Sequence, residues 1–533
     1  MSPLFTRHRV TPFRAALTCC LLSAALPAIA ELQNVEVSSH IGVRPNWHNL
    51  LEGPGIDINL NFEPGTDGGQ GLGSLFELKN AAGKVVLGAG FDDAHSTYMR
   101  DNNRQVIFYH RSAEPKPEIT HLGKPFDSEH NGTRLLVDGE DLLTFFRHGN
   151  AVAFRTPAPN GEWHTFVVPW GKGRNAFCGM QQVNNKPLHF YSDRITYDGA
   201  EIYTTERGGG RYFYDKGRLF IYHSQPDQLL VTPWKPGETI DMDQVETHDL
   251  VGVVFTWGTY NDEFLLTTNV GEFYSYRDGA LTRIRATDGT SWQGYSMLRH
   301  YDAVLIGHYP TGSLYQYDDK GLALFDPPIP VLEGVSVSAR EAQTLAIHGG
   351  YLYAGLWPWG EIWRFDHEAR QWHFVERVFQ QPELSAEDQE PYARAMADKP
   401  APYNLWGQRI KNLTNYRDGL YIATMNKGGN PWLPEVHDFL DEATVAQYGA
   451  VHRLTAPTQI AAPFTWKDRT ALRFRVTGDA LYVFQDGELL GSAKLPPEAG
   501  LLDLSQDGLT LGKGIYGPSR GTVTLDSFTV HNP

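Results

Sequence analysis

An all-β fold, a seven-bladed β-propeller with a small C-terminal β segment of partial-sandwich character, is predicted by three features of this 533-residue chain. Short runs rich in β-branched and aromatic residues meet at Gly-containing turns, which is how antiparallel hairpins read in sequence. This strand–turn–strand grammar recurs at the length of a propeller blade. The 53 Gly, 27 Phe, 25 Tyr and 13 Trp residues suit many tight turns between packed sheets.

The clearest unit is 340–366, where TLAIH and YLYAGL meet at Gly349-Gly350 and a turn at Pro358-Trp359-Gly360 leads into EIWRFD. Alignment on the first turn gives units at 56–87, 135–156, 194–223, 253–279, 296–321, 340–366 and 410–429. Seven units suit a closed propeller, in which closure protects the strand edges. The stretch 91–125 contains another hairpin-like run, RQVIFYHR, read as extra strands of the first unit or as an insertion. Residues 380–404 are polar with Pro-rich ends and read as a surface excursion. After about residue 456 the pattern changes, and ALYVFQDGELLGSAKL and LTLGKGIYGPSRGTVTLDSFTV resemble the later strands of a laminin-G or legume-lectin-like sandwich. The expected organisation is an export signal at 1–30, the propeller at 31–455, and a sandwich-like or capping segment at 456–533.

Arg7, Arg9 and Arg14 precede a short apolar core, Ala15 to Leu26, and Ala28-Ile29-Ala30 supplies a small-residue cleavage site. No later stretch reaches the ~20 apolar residues of a membrane span. A secreted or periplasmic protein, off the membrane, is therefore expected. Loss of the three signal arginines leaves 43 basic against 62 acidic residues, a net charge of −19. Such a balance disfavours nucleic acid and anionic membranes as partners, though a local arginine cluster inside an acidic shell can still hold an anionic substrate. Cys178 is the one cysteine beyond the signal, so no intramolecular disulfide is expected and its thiol is read as inert. A monomer stabilised by a large core is expected.

In a propeller, the residues before each first strand and after each second strand surround one mouth of the central funnel. Loops meeting on a rigid scaffold are where ligands commonly bind. Counting back from the turns places Glu129, His189, Gln293, Arg340 and Arg409 in the first set, with His130 and Tyr191 beside them. The second set holds Arg147, His148, Arg207, Asn269, His308, Tyr309, Trp357 and Lys427. His300 and His348 fall at the opposite turn and are assigned to structure, and Trp357 suits either sugar stacking or inter-blade packing.

His130 and His148 bracket one hairpin, 18 residues apart, and Tyr191 and Arg207 bracket the next, 16 apart. This order of His–His then Tyr–Arg on successive blades resembles the active sites of seven-bladed propeller polysaccharide lyases. The ulvan lyases and the lyases of rhamnose–glucuronate linkages are two such groups. The resemblance implies β-elimination on a uronic-acid-containing polysaccharide, with Tyr191 and one of His130 or His148 transferring protons. The other histidine and Arg207 would hold the carboxylate. Arg340, Arg409, His189, His308, Tyr309 and Trp357 would line the substrate path. Catalysis of this kind needs no cofactor. The candidate for a structural divalent cation is His95, beside Asp92 and Asp93. Two other classes stay open: a non-catalytic propeller binding a glycan or protein, and a glycoside hydrolase, for which Glu129 and Glu206 lie near the same rim.

Overall fold

The structure is a computed structural model. It describes residues 53–531 apart from short stretches, the longest being 126–133, 169–176, 385–405 and 496–503; side chains within 93–104 and 145–176 lie outside the description. The export signal at 1–30 lies outside the described residues. Among the described residues, no helix is long and apolar enough to cross a membrane.

The fold is all-β, and its largest part is a propeller of seven antiparallel sheets. Six blades take four consecutive strands each: 134–168, 177–204, 211–249, 254–285, 293–324 and 341–377. Blade 7 is assembled from two distant parts of the chain. Arg409–Tyr416, Gly419–Met425 and Val451–Thr455 supply its first three strands, and Glu118–His121, from before blade 1, supplies the outermost. Apolar clusters cement neighbouring blades. Tyr212 and Leu219 of blade 3 join Val183 of blade 2, Met297 of blade 5 joins Leu265 of blade 4, and Leu413 of blade 7 joins Tyr351 of blade 6. Leu135 of blade 1 packs with Tyr421 of blade 7, which returns the series to its start.

Strands that pack on both faces are buried along their whole length. Glu341–His348 and Tyr351–Trp357 are buried at every position, and Gly349-Gly350 between them takes φ of 56° and 76°. Two successive positive φ angles define the tight hairpin turn that glycine makes without strain.

Two unit assignments are corrected. The unit at 194–223 is the outer half of blade 2 followed by the inner half of blade 3. The unit at 56–87 belongs to no blade. Gly55–Glu63 lies between Thr470–Val476 and Thr522–His531 in one five-stranded sheet. Ser74–Asn80, Val85–Phe91 and Gln105–His110 join Gln459–Pro463 and Leu504–Leu511 in a second. The two sheets face each other across a core that includes Ile58, Phe62, Phe76, Phe108, Phe474 and Val483. The C-terminal segment is therefore half of a two-sheet sandwich whose other half is N-terminal, and the propeller does not begin at residue 31. The sandwich rests on blades 5 and 6, where Val85, Ile107, Tyr109 and Ile515 share a cluster with Leu298 and Leu345.

The stretch between the sandwich strands is an insertion. Its hairpin, His95–Ser96 and Met99–Arg100, pairs on the inner side of Arg409–Tyr416, with His95 opposite Leu413. Its backbone also approaches the innermost strands of blades 2, 5 and 6, so it occupies the central channel.

Candidate functional site

Each blade's first strand begins, and its second ends, on one face of the propeller. Tight turns with positive φ, such as Asp198-Gly199 and Lys216-Gly217, lie on the other face. At the mouth the first strands share an irregularity. In five blades the pairing of strands 1 and 2 skips one residue just inside the strand start: Cys178, Phe255, Tyr295, Gln343 and Lys411. A bulge leaves its extra residue outside the ladder and re-aims its side chain. Repetition at one level in five blades builds a collar around the channel.

Contacts at this level link residues within a blade, between neighbouring blades and, in one case, across a blade. The Phe255 and Tyr295 rings stand 5.2 Å apart, and Tyr295 is 6.3 Å from Tyr309. The Arg409 guanidinium, from blade 7, lies 5.7 Å from the Tyr295 ring of blade 5. Arg409 also forms a buried ion pair with Glu341 of blade 6. Burial holds the Lys411 amine well below the ordinary lysine pKa; the charges of Arg134, Arg409 and Arg211 push the same way, and Glu341 opposes them. Arg134 begins blade 1 and Arg211 begins blade 3. Arg134, Arg211 and Arg409, from blades 1, 3 and 7, thus lie within electrostatic reach of the buried Lys411 amine, with the Glu341 carboxylate opposing them. The inserted hairpin pairs with Asn412 and Leu413, just beyond Lys411, and floors this site.

The sequence-selected residues fall into three groups. Tyr191 ends the second strand of blade 2 at the mouth, half-buried, with the Arg194 guanidinium 4.4 Å from its ring centre. Burial, only partly countered by Arg194, pushes its hydroxyl up to about 12. His148 ends the second strand of blade 1, the position equivalent to Tyr191. Tyr309 takes that position in blade 5, half-buried, its pKa raised by burial and then by Glu341. Arg409 stands at the collar.

A second group is buried. Trp357 is 0 % exposed, so its ring packs between blades and offers no face to a sugar. Arg340, 1 % exposed, is held by Glu361 at 2.9 Å and by the Pro330 carbonyl at 3.1 Å. His189 and His308 are buried, and that burial lowers both to about 4; His308 Nδ1 lies 2.9 Å from Thr311 Oγ1. The third group does not meet the others. Arg207 follows the fourth strand of blade 2 rather than the second, so it stands at the outer rim. There it donates to Gln228 Oε1 at 3.1 Å and to the Pro226 carbonyl at 3.0 Å. Tyr191 and Arg207 therefore share a face and not a site. His130, Glu129 and Lys427 lie outside the described residues.

Counting back from the turns assumes an unbroken ladder and so does not lead to Lys411 or Tyr295, which sit at bulges. One extra residue in a strand shifts every inference about which side chain reaches the mouth. The charged pair in Arg409-Ile410-Lys411, inside an otherwise apolar run, was the available signal. Cys178 is half-buried and forms no disulfide. Among the described residues, no three His, Cys, Asp or Glu side chains cluster as metal ligands, and the side chain of His95 lies outside the description.

No protein-family model matches this chain, and no curated protein aligns with it. Solved structures similar to it include β-propeller proteins. BamB from Moraxella catarrhalis matches at 10 % identity and TM-score 0.30, covering 59 % of this chain and all of its own. The Cps50 (Swd1) β-propeller domain of Myceliophteria thermophila matches at 10 % identity and TM-score 0.29, covering 53 % of this chain and 93 % of that one. The computationally designed Ika8 protein matches at 11 % identity and TM-score 0.33, covering 76 % and 98 % respectively. Likenesses this distant concern the fold alone.

Proposed function

We propose that this is an exported polysaccharide lyase, binding a uronic-acid-containing chain at the propeller mouth and cleaving it by β-elimination. The observation that carries the reading is the approach of Arg134, Arg211 and Arg409 to the Lys411 amine at the collar of a chain that is acidic overall. A sugar carboxylate entering this point meets fixed positive charge. That charge is what an enolate-like intermediate requires, because proton abstraction beside a carboxylate adds negative charge to it. Arginine is suited to the task, since its planar fork matches a carboxylate and stays charged.

In the proposed reaction the neutral amine of Lys411 takes the proton alpha to the carboxylate. The electron pair forms the new double bond and expels the beta oxygen, and the Tyr191 hydroxyl protonates that oxygen. Lys411 suits the base because burial and cationic neighbours favour its neutral form. Tyr191 suits the acid because a hydroxyl held at about 12 keeps its proton at neutral pH. Lys411 takes the proton-transfer role that the lyase resemblance gives to one histidine, so His148, at the equivalent position of blade 1, and His130 are left to hold the carboxylate. Arg207 is replaced as the carboxylate partner by the arginines around Lys411.

A second reading, a non-catalytic glycan-binding propeller, draws on the same mouth. It is favoured by the ion pair that already neutralises Arg409. Lys411→Met separates the two. The variant removes a buried amine from a crowd of cations, so its melting temperature is expected to hold or rise. Release of unsaturated product is expected to fall by about 10²–10⁴-fold, the usual range for a lost general base. Turnover near that of the unaltered protein would remove Lys411 from the mechanism.

A further inference from the structure

The seam that closes blade 7 carries a pair of histidines outside the mouth. His121 lies on the outermost strand, Glu118–His121, and His452 on Val451–Thr455, directly opposite it in register. Their Nδ1 atoms face each other at 3.5 Å, with ring centroids 4.8 Å apart and planes inclined by 61°. That separation is long for a hydrogen bond involving nitrogen, whose usual span is about 2.7–3.2 Å. It matches a shared metal, because two nitrogens each about 2.1 Å from a tetrahedral ion stand about 3.4 Å apart.

We propose that His121 and His452 chelate one divalent late transition metal, of the Cu2+, Ni2+ or Zn2+ class, through their Nδ1 atoms. Imidazole nitrogen selects these ions over Mg2+ and Ca2+, which prefer oxygen. His452 is buried beneath the exposed partner strand. His121 is exposed and gives the ion a way in. The neighbouring cation Arg453 is committed to Asp418 in an ion pair of 2.5 Å. Among the described residues no third ligating side chain joins the pair, so water completes the coordination.

Such a metal would act as a latch. It would tie residue 121 to residue 452, 331 positions later, at the one blade whose strands come from both ends of the propeller sequence. An ion bound only by the folded chain raises its stability by mass action.

The test uses the full chain without an affinity tag, titrated separately with Zn2+, Ni2+, Cu2+ and Mg2+. Equilibrium dialysis is expected to find about one Zn2+ per chain in the unaltered protein and loss of that ion in His121→Ala. Because His121 is exposed, the variant is expected to melt like the metal-free parent. The three transition metals should raise the melting temperature of the parent but not of the variant, and Mg2+ should raise neither. Absence of stoichiometric binding, or equal binding by His121→Ala, overturns the chelate. Binding that leaves the melting temperature unchanged overturns the latch.

Discussion

A chain ending at residue 455 is expected to lose the cooperative melt of the full protein and to accumulate as insoluble material. The deleted segment supplies six strands of a sandwich that residues 55–110 cannot complete alone. Ile56, Ile58, Leu60 and Phe62 would lose Phe474, Val476 and Val483, and the exposed edges would be free to pair between chains. The same sheet carries a buried charge cluster. Asp57 accepts from Arg475 at 2.6 Å and from Arg473 at 2.9 Å, and lies 2.7 Å from His531 Nε2. Arg475 is 0 % exposed, so Asp57→Ala strands a charge away from water and is expected to cost about 3–5 kcal/mol, measured by denaturant melts. A truncated chain that stays soluble and melts at the parental temperature would show that the sandwich is dispensable.

Acid is expected to destabilise the protein steeply between about pH 6.5 and pH 4. Burial lowers His110, His189, His308 and His348 to about 4 and His300 to about 3, against an ordinary 6.5. The sign follows from proton counting. In this window the unfolded chain holds protons on these histidines and the folded chain does not. Stability is complete above pH 6.5 and falls as the pH drops, by about 1.4 kcal/mol per pH unit for each histidine. Glu77, raised by burial, works in the opposite direction and offsets part of the loss. Denaturant midpoints at pH 7, 6 and 5 check this, and a flat profile would mean that these rings are not held neutral in the fold.

The sequence disclosed architecture better than position. The tight turns and the doubly buried strands of blade 6 were legible because their residues satisfy local rules. The sandwich was misread because IDINLNF, too, is a β-run beside a turn. Its alternation of apolar and polar residues, with Ile58 and Leu60 buried and Asn59 and Asn61 only partly so, marks a strand with unlike faces. The alternation in 56–62 therefore distinguished it from the continuous burial in 351–357. That the outermost strand of blade 7 comes from 118–121 was beyond local reading, because closure joins segments that no periodicity connects. At the mouth, five bulges leave their extra residues outside the ladder, so counting back from the turns leads to Arg409 and not to Lys411. Arg207 fails for a related reason: the unit 194–223 sets a boundary in the middle of blade 2 and takes the link between blades 2 and 3 for a turn within one blade.

The lyase reading is tested most directly by the ultraviolet absorbance of unsaturated sugar as the full chain is incubated with a panel of uronate polysaccharides, beside Tyr191→Phe. That substitution keeps the half-buried ring under Arg194 and removes only the hydroxyl that would protonate the leaving oxygen. The expected result is product from the parent on at least one polymer, with turnover lower by about 10²–10⁴-fold in the variant at an unchanged melting temperature. A parent that binds the polymer but forms no unsaturated product, or a variant that turns over normally, would contradict elimination at this mouth.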